Sequence, residues 1–76
     1  MVEDNYLTSK EMEIIYYLGN GHTYIEISEK LGISIGAVKK HISSAIKKVG
    51  AKNSAHTIKL LYEQGHLGSD NFAAQS

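Results

Sequence analysis

Residues 23–50 read TYIEISEKLGISIGAVKKHISSAIKKVG, and the fold is decided there. Thr23-Tyr24-Ile25-Glu26 has the spacing of a capping box: the Thr23 hydroxyl accepts an early backbone N–H and Glu26 reaches back. Ile27 and Leu31 lie four apart and share one helix face. Gly32 stands where a helix wants a left-handed residue after its last turn. Ser34 supplies the N-cap of the next helix, along which Val38, Ile42, Ile46 and Val49 form an apolar stripe closed by Gly50. The joining stretch Leu31-Gly32-Ile33-Ser34 is short, with a glycine at the turn and an apolar residue able to tuck under the corner. That is the layout of a helix-turn-helix.

Upstream, Thr8-Ser9-Lys10-Glu11 is another capping box with Leu7 before it as a hydrophobic staple. Ile14, Ile15 and Leu18 give a helical stripe that Gly19-Asn20-Gly21 ends. Downstream, Asn53 or Ser54 caps a further helix with Ile58, Leu61 and Tyr62 as apolar contacts, and Gly65 stops it. The expected fold is therefore all-α, a four-helix bundle with helices over 8–19, 23–31, 34–49 and 53–64. The spacing of Val and Ile is helical rather than alternating, and no hairpin signal competes. One domain over 7–67 is expected, with flexible ends at 1–6 and 68–76, which carry no stripe.

Seventy-six residues allow one modest core and leave little room for a substrate pocket, so an enzyme is not expected. The chain has no Cys, which removes disulfides and thiolate metal sites and suits a reducing compartment. No apolar run approaches the roughly 18 residues of a membrane helix, and the acidic, polar start is unlike a secretory signal. His22, His41, His56 and His66 are scattered, with no HExxH pattern, so neither a metal nor any other cofactor is expected. His41 falls between the stripe and the polar face and reads as a half-buried histidine. Tyr16 and Tyr17 read as core edge rather than as a base-stacking platform. Glu11 and Glu13, two apart on a helix, do not face each other and form no catalytic pair.

The formal net charge is zero, which speaks against nucleic acid until the charges are placed. Residues 1–33 carry six acids against two lysines; residues 34–60 carry six lysines and no acid; residues 61–76 carry two acids. The basic charge is confined to the stretch that includes the second helix of the helix-turn-helix, where base edges are read. Opposite its apolar stripe lie Gly36, Lys39, Lys40, Ser43 and Lys47. Lys39 and Lys40 can donate to guanine or to phosphate, Ser43 can donate or accept, and Gly36 lets backbone approach closely. Lys47 and Lys48, further along, suit phosphates. Thr23 and Tyr24, at a helix N-terminus, suit a phosphate as well as a cap. A lysine cluster alone is ordinarily a solvated face; its coincidence with the turn and the caps points to DNA.

These motifs together resemble the LuxR-type (FixJ/NarL-type) helix-turn-helix DNA-binding domain. The resemblance is carried by Leu7-Thr8-Ser9-Lys10-Glu11, Gly21 to Ser28, Leu31-Gly32-Ile33-Ser34, Val38-Lys39-Lys40-His41-Ile42 and Lys48-Val49-Gly50-Ala51-Lys52-Asn53, in order and without gaps over about 7–67. It implies a four-helix domain whose third helix reads promoter DNA and whose fourth dimerises. By motif position it puts base contacts on Lys39, Lys40 and Ser43, and backbone contacts on Thr23, Tyr24, Lys47 and Lys52. A dimer interface would draw on Ile58, Leu61 and Tyr62. The chain departs from the family pattern at Ala37 (usually Thr), Ser54 (usually Arg) and His56 (usually Gln), and it has no Arg. A bidentate Arg–guanine fork is therefore absent, and each Lys acts as a point charge.

The expected function is a cytoplasmic, nucleoid-associated transcriptional regulator that binds double-stranded promoter DNA as a homodimer. RNA polymerase or a related regulator is a further expected partner. The competing expectation is a single-domain antagonist that pairs with a full-length relative through helix 53–64 and blocks it. The six unopposed lysines favour DNA, for which an antagonist has no need.

Overall fold

The computed structural model describes residues 7–64. Four helices follow one another: α1 Ser9–Gly19, α2 Tyr24–Leu31, α3 Ile35–Val49 and α4 Ser54–Glu63. Each starts one residue after its cap, at Thr8, Thr23, Ser34 and Asn53. The expected ranges began on those caps. A cap gives its side-chain oxygen to the helix while its own backbone stays extended, which accounts for the one-residue difference. Both capping boxes close. Thr8 Oγ1 accepts from the Glu11 N–H at 3.1 Å and Glu11 Oε1 from the Thr8 N–H at 2.9 Å. Thr23 and Glu26 repeat both distances. At α4 the cap is Asn53 rather than Ser54: Asn53 Oδ1 accepts from the His56 N–H at 2.8 Å. The expected stop at Gly65 and the expected flexible ends lie outside the described residues.

At the corner between α2 and α3, Gly32 takes φ 67° and ψ 33°, and its N–H and that of Ile33 both reach the Ser28 carbonyl. Ile33 packs against the core from this turn, as its position suggested. The core consists of Ile14, Ile15, Ile27, Val38, Ile42, Ala45 and Leu61. Burying one isoleucine side chain stabilises by roughly 1.5–3 kcal/mol, so the three on α1 and α2 anchor those helices. α3 packs against each of the other three helices and forms the centre of the molecule.

Two expectations change on packing. Leu61, offered as a dimer contact, is 3% exposed and belongs to the core. A second apolar surface was not available on that side of α4, because α4 needs Leu61 to hold itself to the other helices. Lys48, expected at phosphates, instead turns inward. Its Nζ lies 2.9 and 3.2 Å from the two carboxylate oxygens of Glu11, which is 4% exposed. Burial pushes the Glu11 carboxyl up, but the Thr8 N–H, Lys48 and the Ser44 hydroxyl outweigh it, and the net position is below the ordinary 4.5.

Candidate nucleic-acid interface

The inward side of α3 buries Val38, Ile42 and Ala45, with Ile46 and Val49 half-buried beside them. Helical spacing therefore leaves Ile35, Gly36, Lys39, Lys40, Ser43 and Lys47 outward, and all six are exposed. Five of these were singled out as contacts from the sequence; Ile35 was not. The helix is well started, with the Ser34 hydroxyl oxygen accepting from the Ala37 N–H at 3.0 Å. His41 is half-buried between the two sides, as its position suggested.

The six lysines of 34–60 divide by partner. Lys48 is held by Glu11, and Lys59 lies 3.9 Å from Glu63 one turn on. Lys39, Lys40, Lys47 and Lys52 form no ion pair among the described residues. Among the described residues, the outward face of α3 and the turn after it thus present positive charge with no ion-paired acid.

The other candidates sit on separate elements. Thr23 is exposed at the start of α2, its hydroxyl engaged as a cap, and Tyr24 is half-buried with its ring against the core. The neighbouring Glu26 carboxyl is held low chiefly by the Thr23 backbone N–H. Lys52 lies in the turn between α3 and α4, where its backbone N–H donates to His56 Nδ1 at 3.1 Å. On α4, Ile58 is half-buried and Tyr62 is 38% exposed; a Cβ added at Gly19 would meet both. These two remain as candidate surface for a partner, and Leu61 does not.

Among the described residues no group of three or more His, Cys, Asp or Glu is placed to hold a metal ion, and no helix is long and apolar enough to cross a membrane. Two open hollows of about 450 and 440 Å³ are lined by α1 and its lead-in (Leu7, Met12, Tyr16) and by α2 and its lead-in (His22, Glu26, Glu29). Neither is lined by α3.

Residues 5–61 match the bacterial regulatory proteins of the luxR family, over more than half of the chain. The chain belongs to that family. This luxR-family domain is 43% identical over 58 residues to the transcriptional activator protein EchR of Dickeya chrysanthemi, covering 76% of this chain and 23% of EchR. It is 40% identical over 53 residues to the transcriptional activator protein EsaR of Pantoea stewartii subsp. stewartii, covering 70% of this chain and 21% of EsaR. It is 35% identical over 67 residues to the uncharacterized transcriptional regulatory protein YvfU of Bacillus subtilis, covering 88% of this chain and 34% of YvfU. The luxR-family chain thus spans about a fifth to a third of the length of these relatives. No solved structure matches it. The helix-turn-helix of this luxR-family domain is α2, the Gly32 turn and α3.

Proposed function

We propose that the chain is a transcriptional regulator that lays α3 in the major groove of promoter DNA. Lys39, Lys40 and Ser43 face base edges. Thr23, Tyr24, Lys47 and Lys52 contact the backbone, and Gly36 lets the DNA come close. The observation that carries this reading is the outward side of α3. It joins unpaired lysines to a glycine and a serine, directly after a tight, capped turn. A helix presented this way fits the major groove, about 12 Å wide. Two copies would join through α4, using Ile58 and Tyr62 and leaving Leu61 in each core, at the nucleoid of a cytoplasm. RNA polymerase or a related regulator would meet the bound dimer.

Electrophoretic titration against sequences selected from a random duplex library tests it. The unaltered chain should enrich one sequence. Lys39→Ala and Lys40→Ala should each lose about ten-fold on that sequence, the worth of one good base contact. Unchanged affinity in both variants overturns the groove reading. Retained folding with no DNA binding at all leaves the antagonist, which would be seen as capture of a full-length relative through α4.

A further inference from the structure

We infer that Ile35 reads the DNA: its side chain packs on the C5-methyl group of a thymine and sets a preference for that base at one position of the site. This rests on the major-groove reading above and adds a residue that reading leaves out.

Ile35 is the first residue of α3 and is 39% exposed. It leads a row at four-residue spacing, Ile35, Lys39, Ser43 and Lys47, along the outward side. Every other exposed position on that side is charged, hydroxylic or glycine. The corner between α2 and α3 already has its apolar plug in Ile33, which packs on the core together with Leu31. Ile35 is not among the residues packed on the core, and the part of it left exposed is apolar surface that is unfavourable in water until something covers it.

Its place in the helix says what covers it. In a helix-turn-helix the N-terminal residues of the second helix are the ones that reach base edges. Beside Ile35 stands Gly36, where an added Cβ would meet only the Ser34 hydroxyl oxygen, at 3.8 Å. No side chain at 36 holds the duplex away from Ile35. The major groove offers one apolar feature, the thymine methyl, which distinguishes thymine from the other bases. A lysine ammonium gains nothing from it, whereas a branched aliphatic chain packs on it directly. Because the chain has no Arg to fork onto guanine, an apolar contact carries a larger share of its discrimination.

The test uses the duplex that the unaltered chain enriches. Each thymine in it is replaced singly by deoxyuridine, which removes the methyl and leaves the pairing. One thymine per half-site should cost the unaltered chain about four-fold in affinity, the worth of one buried methylene-sized group. Ile35→Ala should lose this sensitivity, while Lys39→Ala, weaker overall, should keep it. Indifference of the unaltered chain to every uracil overturns the inference without any variant being made. So does an Ile35→Ala chain with the same uracil penalty. If no duplex is enriched, the groove reading falls and Ile35 falls with it; a duplex enriched but blind to uracil sinks Ile35 alone.

Discussion

Glu11 carries two connections on one carboxylate. It closes the capping box of α1 through Thr8, and it takes Lys48 at the far end of α3. Glu11→Gln keeps a box-forming side chain but gives up the charge facing Lys48. The expected cost is about 1.5 kcal/mol, the scale of a hydrogen bond to a charged group, read as a lower urea midpoint. The sign with pH follows from the depressed carboxyl. In the unfolded chain the group returns to about 4.5, so its stabilisation is complete above that pH and is lost as pH falls through the lower folded value. The gap between Glu11→Gln and the unaltered chain should therefore be widest near neutrality and narrow below pH 4.5. At Gly32 an added Cβ meets nothing within 4 Å, so only the backbone resists a substitution there. Gly32→Ala should cost about 1 kcal/mol through its positive φ alone, measured as a fall in Tm.

At the scale of elements, α4 sorts its own apolar residues. Leu61→Asp should unfold the chain, because it places an unpaired charge in the core. Tyr62→Asp, at an exposed site, should leave the circular-dichroism spectrum intact while weakening self-association in sedimentation. A Tyr62→Asp chain that still dimerises sinks the α4 interface. The same helix shows where sequence reading runs short. Ile58, Leu61 and Tyr62 share an apolar character, and spacing alone did not say which of them faces the other helices. Caps were legible because they are local: Thr8, Thr23, Ser34 and Asn53 each act within three residues. The outward side of α3 was legible by its periodicity. The Glu11–Lys48 pair joins residues 37 apart, and no local pattern announces it. Ala45, fully buried, escaped because a small side chain adds little to a hydrophobic stripe.

For the whole molecule, zero net charge conceals a separation of charge. Among the described residues, Lys39, Lys40, Lys47 and Lys52 of the 34–60 stretch form no ion pair, while Glu3, Asp4, Glu63 and Asp70 stand toward the ends of the sequence. Binding should weaken steeply with salt, and Lys47→Ala or Lys52→Ala should each reduce the slope of log K against log salt by about 1. Neutralising the four terminal acids should raise affinity for unrelated duplex and leave the preferred sequence unchanged. The oxygen shared in the Glu11 clamp has a mechanical meaning as well. The Thr8 N–H and Lys48 Nζ both bind Glu11 Oε1, each at 2.9 Å. The point where the chain enters α1 is thus tied to the last turn of α3 by two short bonds in series. Where a cap ordinarily serves only its own helix, this one also fastens α1 to a helix whose opposite side carries the lysines.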